Sequence, residues 1–150
     1  VRTALAAQIA ANAFPAIQAE GNPADQISPP VALVLPAHGT FAKYGETLGG
    51  AYMDPVTRSP YAASSFSLDV MVAIARNADI DTVQQTLDQW FGYELIPGVT
   101  VSIPMAVAMD DTLGGVVQWC EPVTADSYAP LDYNGVMYFG ARIHFTIGLV

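Results

Sequence analysis

Two histidines, His38 and His144, and the adjacent carboxylates Asp110 and Asp111 are the residues best suited to acid–base or metal chemistry in this chain. Two imidazoles and one carboxylate can hold a metal, but their spacing here matches no known ligand scheme. His144 falls on the polar side of an alternating segment, beside Arg142 and Thr146, where a surface residue is expected rather than a general base. His38 opens His38-Gly39-Thr40 in a long loop and has no partner at sequence level. Sequence neighbours such as Asp110 and Asp111 point apart, so a solvated turn is expected there rather than an acid/base pair. Gly114-Gly115 lacks the Lys and Ser/Thr of a phosphate-binding loop and precedes a strand. No G-x-S-x-G elbow or Cys–His signature occurs. Cys120 stands alone in the apolar run VVQWC, which excludes an intrachain disulfide and points to a core position. Trp90, Phe91, Tyr93 and Trp119 sit at core spacing without interleaved basic residues, unlike a nucleic-acid stacking platform. The expectation is a protein that is not an enzyme and holds no cofactor or metal.

The elements that would position these residues centre on 64–92. Phe66, Leu68, Val70, Val72 and Ile74 alternate with Ser67, Asp69, Met71 and Ala73, the period of a strand with one buried face. From Asp79 the period becomes helical, with Ile80, Val83, Leu87, Trp90 and Phe91 on one stripe. Asn77 or Asp79 suits the N-cap, and Gly92 suits the C′ position. Residues 3–13 predict an Ala-rich helix packing through Leu5, Ile9, Ala6 and Ala13, ended by Phe14-Pro15. VALVL at 31–35 predicts a buried strand. Residues 36–61 predict a long loop that either reaches a neighbouring subunit or forms a mobile insertion. Ser102 caps a short helix toward Met109, the strand VVQWCEPVTA follows, and 126–132 is expected to be a loop. Asn134-Gly135 is a two-residue hairpin turn. After it, Phe139, Ala141, Ile143, Phe145, Ile147 and Leu149 alternate with polar positions as a second long strand. The fold expected is α+β: a mixed, mainly antiparallel sheet of three to five strands packed against two or three helices, in one domain over 1–150.

Charged residues make up 13% of the chain, against about 25% in typical proteins, and hydrophobic residues 52%. Such a surface suits burial in an oligomer. Fourteen acidic residues against five basic ones give a net charge of −9, which excludes phosphate-backbone binding by counterion release. No apolar run reaches the length of a membrane span, and 1–13 read as an amphipathic segment rather than a signal peptide. Synthesis in a cytoplasm is the expectation.

The chain resembles the tail terminator (tail completion) proteins of long-tailed bacteriophages. The resemblance rests on order and spacing over nearly the whole length: Arg2-Thr3-Ala4-Leu5 in the opening helix, Ile27-Ser28-Pro29-Pro30 before the first apolar strand, the strand at 66–74 with the helix at 79–91, Asp110-Asp111-Thr112-Leu113-Gly114-Gly115, Tyr128, and Gly135-Val136-Met137-Tyr138-Phe139-Gly140-Ala141 opening the last strand. It implies a structural virion protein made in the host cytoplasm. Six copies would form a ring that caps the head-proximal end of the tail tube, ends its polymerisation and joins it to the head connector. Its partners would be further copies of itself, the tail tube protein and the head–tail connector or neck protein. DNA would pass through the channel without specific binding, and no membrane is involved; six copies at −9 each carry −54.

Candidate contact residues are Lys43, Tyr44, Glu46, Arg58, Asp110 and Asp111, with Arg76 and Arg142 as further choices; each also suits a solvated surface. Two other readings stay open. A head-completion or neck adaptor protein differs in copy number per ring. A small cytoplasmic enzyme or ligand-binding domain requires an enclosed pocket with perturbed ionisable groups, for example His38 brought close to Asp111.

Overall fold

The computed structural model describes residues 1–22, 24–36, 65–74 and 79–148. In chain order these form α1 (Arg2–Asn12), β1 (Gln18–Glu20), β2 (Val31–Pro36), β3 (Ser65–Ile74), α2 (Ile80–Phe91), α3 (Ile103–Ala108), β4 (Trp119–Ala125), β5 (Ala129–Tyr133) and β6 (Val136–Gly148). The architecture is α+β: among the described residues there are a mixed, mostly antiparallel sheet of six strands and three helices. The sheet runs β1-β2-β3-β6-β4, with β5 also on β6; only β1 and β2 are parallel. It has one strand more than the upper expected number, because two short pieces escape a periodicity reading. β1 has three residues, and β5 falls inside 126–132, where a loop was expected.

β3 and β6 form the centre. Ten consecutive residue pairs join them, from Ser65 with Gly148 to Ile74 with Phe139. A one-residue slip would turn every apolar side chain to the wrong face, so burial fixes this register. The face bearing Leu68, Val70, Val72, Ala141, Ile143, Phe145 and Ile147 meets all three helices in one core cluster. Gly140 is required by this pairing: a Cβ there would overlap the Val72 carbonyl.

The other face departs from the one-sided strand expected. Met71 and Ala73 are also fully buried, in a second cluster with Val31 and Leu33, against which Ile27, Leu35, Leu131, Tyr133 and Tyr138 pack. β5 and the start of β6 supply much of that cover. Their turn is closed by Asn134 and Gly135, both at positive φ (51° and 81°), as a primed hairpin turn demands. Tyr133 Oη and Asn134 Nδ2 donate to the Ala24 and Asp25 carbonyls and tie the tip to the segment before β2.

β4 and β5 lie end to end along β6, pairing with Ile143–Gly148 and Val136–Gly140 respectively. The ladder shifts register between Pro122 and Thr124, and the chain leaves the sheet at 126–128. Pro122 and Pro130 both lie in this outer pair of strands.

The helices form as their sequences direct. α1 buries Leu5, Ala6 and Ile9, and its C-cap Ala13 is already extended, one residue before Phe14, which Pro15 bars from the helical region. Gln8 of α1 donates to the Ala106 carbonyl of α3 (3.0 Å), and Phe14 pairs its backbone with Val101. α2 buries Val83, Leu87, Trp90 and Phe91, and Trp90 Nε1 donates to the Pro15 carbonyl (2.8 Å). Ile80 departs from the expected stripe: at the first turn, beyond the edge of the core, it is 65% exposed. Asp79 is the N-cap, but its carboxylate accepts from Thr82 Oγ1 rather than from a backbone N–H. Gly92 ends α2 in the left-handed conformation (φ 87°). Ser102 caps α3 by accepting from the Met105 N–H. The expected strand at 116–125 begins only at Trp119, because Leu113, Gly114 and Gly115 all take positive φ and hold 113–117 in a turn.

Leu87→Ala is expected to lower unfolding free energy by about 2–5 kcal/mol, Gly92→Ala, which puts a Cβ in the left-handed region, by about 1–2 kcal/mol, and Ile80→Ala by no more than about 0.5 kcal/mol. Urea unfolding of the three variants checks this ordering.

Candidate functional site

The polar groups that converge do so around His144. It lies on the face of β6 opposite the helices and pairs in register with Asp69 of β3. The Asp69 and Asp126 carboxylates sit at its two ring nitrogens: Nδ1 lies 2.7 Å from Asp69 Oδ1 and Nε2 lies 3.0 Å from Asp126 Oδ1. Asp126 is carried to this position by the break between β4 and β5, where its own N–H bonds to the Arg142 carbonyl. Only the doubly protonated imidazolium can donate to both carboxylates at once. Its pKa is accordingly raised above 6.5, chiefly by the Asp126 hydrogen bond and then by Asp69, against the opposing effect of burial. His144 is thus half-buried and tethered between two carboxylates that favour its charged form, rather than the free surface residue its neighbours in sequence suggested. Sequence periodicity placed Asp69 and His144 on polar faces of separate strands; register and the 126–128 break bring the three groups together. With both nitrogens occupied by carboxylates, His144 has no nitrogen free to serve as a base or to bind a metal. Among the described residues no group of three or more His, Cys, Asp and Glu could hold a metal ion.

Beside Asp126 lies a cleft of about 250 Å³ lined by Tyr93, Ala125, Asp126, Ser127 and Tyr128. Tyr128 is fixed from two directions: its hydroxyl donates to Asp88 Oδ1 on α2 (2.6 Å), and Phe91 meets its ring edge-to-face at 5.7 Å. Burial and the Asp88 carboxylate push the Tyr128 phenol far above its usual range. Tyr93, read from sequence as a core aromatic, is 65% exposed, because Gly92 turns the chain out of α2 just before it.

The expected contact residues separate. Lys43, Tyr44, Glu46, Arg58 and Arg76, with most of the 36–61 segment and His38, lie outside the described residues. Asp110 and Asp111 do not act together. The Asp110 carboxylate organises its own turn, accepting from Thr112 N–H, Thr112 Oγ1 (2.6 Å) and Gly114 N–H (2.8 Å). Those bonds, the Thr112 hydroxyl first, hold its pKa below the usual value. Asp111 is exposed, and near enough to Cys120 to add to the burial that pushes the thiol up to about 12. Cys120 is therefore an inert core residue, as expected. Arg142 is half-buried on the same sheet face as His144, and its Nε is buried without a hydrogen-bond partner among the described residues.

Compared with known proteins, the chain matches no protein-family model and no curated sequence. No helix among the described residues is long and apolar enough to cross a membrane.

Because the folded His144 titrates above the unfolded value of 6.5, the Asp69–His144–Asp126 contribution is present in full below that value and is lost as pH rises through the folded pKa. Chemical denaturation at a series of pH values is expected to show wild type more stable than His144→Gln at pH 6, with the gap closing as pH rises. A constant gap would assign His144 a packing role alone.

Proposed function

We propose that the chain is a ring-forming structural subunit of the tail terminator type, acting through protein–protein contacts rather than through chemistry. The observation that carries this reading is a set of apolar side chains held exposed on the ordered α+β frame. Phe14, Ile96, Val99, Met109 and Val123 are each about half exposed or more, on ordered backbone. The Ile96–Thr100 turn that presents two of them is closed by the Thr100 hydroxyl, which receives the Ile96 N–H and donates to the Ile96 carbonyl. Apolar side chains held out on a fixed turn have a reason to be there when another chain covers them. The sequence resemblance supplies the remaining content: six copies, the tail tube and the head connector as neighbours, placement in the virion, and a −54 ring through which DNA passes.

Native mass spectrometry with added tail tube protein is expected to show a sixfold species of six 15.9 kDa chains, about 95 kDa, and negative-stain images should place it at tube ends. Rings of another copy number that seat on portal assemblies would replace this reading with the neck adaptor. A chain that stays monomeric with both would remove the ring.

A further inference from the structure

We infer that the cleft between α2 and the β4–β5 corner is a receptor for one arginine side chain presented by a partner protein. Its size is the first reason. At about 250 Å³ it lies below the roughly 300–1,000 Å³ of small-molecule pockets and is near the scale of a single long side chain. Its lining is the second. Tyr93 and Tyr128 stand with ring centroids 6.4 Å apart and planes at 48°, and Asp126 closes the same cleft. A planar guanidinium can stack on a phenol face while its N–H fork meets a carboxylate; a lysine ammonium cannot make both contacts as well.

The site is also partly built in advance. Tyr128 is pinned by Asp88 and Phe91, so little side-chain freedom remains to be lost there on binding. Asp126 Oδ1 is held by His144, leaving Oδ2 without a partner among the described residues. Charge complementarity favours a cationic occupant. The chain carries fourteen acidic residues against five basic ones, a net charge of −9, and a carboxylate, Asp126, lines the cleft itself.

His144 makes the site responsive to pH. The charged groups around it are Asp69 from β3, Asp126 from the corner, and Arg142 of β6 and Glu121 of β4 at neighbouring positions on the same face. While His144 is protonated it neutralises part of the Asp126 charge and competes with an incoming guanidinium. Its deprotonation leaves Asp126 to the guest. Binding therefore strengthens as pH rises through the His144 pKa, and by linkage the bound cation moves that pKa down.

The proposal does not depend on ring formation. It is tested on the isolated chain by titrating acetyl-Gly-Arg-Gly-amide at constant ionic strength and following ¹H–¹⁵N shifts and the His144 ring. Saturable shifts are expected at Tyr93, Asp126, Ser127 and Tyr128, with half-saturation on the order of millimolar for one side chain. Tyr93→Ser and Asp126→Asn should each weaken binding about fivefold or more. The corresponding citrulline peptide, neutral but of the same shape, should not bind, and the Arg peptide should lower the His144 midpoint. Non-saturating shifts, equal shifts from the citrulline peptide, or indifference to Tyr93→Ser would overturn the proposal. Tighter binding of free argininamide than of the peptide would overturn the partner-protein assignment, giving the cleft to a small free cation.

Discussion

The ten-residue pairing of β3 with β6 is the constraint on which the remaining structure depends. It lays two apolar rows side by side, and that surface is what gives all three helices a common place to bury their stripes. It also determines where the polar chemistry falls. Asp69 and His144 face one another because Val70 and Ile143 must do so on the helix side. A change that shifted this register would separate the His144 bridge and dissolve the core together, so the candidate site and the stability of the fold are one structural commitment.

Much of this was legible in the chain. The alternation at 66–74 and 138–148, the Asn134-Gly135 turn and the helical stripe of Val83, Leu87, Trp90 and Phe91 each carry a local period that the tertiary structure keeps. What was missed has one physical source: the contribution of distant segments. Met71 and Ala73 occupy the polar phase of β3, yet the β5–β6 hairpin covers them. β5 itself pairs only because β6 extends past the end of β4, and five residues with two exposed positions leave little periodicity to read. Ile80 fits the helical wheel but has no core above it.

The site shows the same division. Asp110 could be placed in a turn from its neighbours, and the structure adds that its carboxylate organises that turn. The partners of His144 could not be found from sequence, since Asp69 is 75 residues away and Asp126 is 18. Tyr93 has the spacing of a core aromatic, but a single left-handed glycine redirects it. Local signals report conformation well; they report neighbours only where conformation alone decides them.

The outer strands have a consequence for how copies of this chain can join. An open sheet edge is a template on which another chain can add strands without limit. Here one side ends in the three-residue β1, and the other in β4 and β5, which carry Pro122 and Pro130 and are separated by a break. Among the described residues neither border offers a long, regular row of donors and acceptors. Such borders disfavour backbone ladders, which propagate, relative to side-chain contacts between shaped surfaces, which can close upon themselves. In a chain more than half apolar in composition, such borders count against fibrous growth.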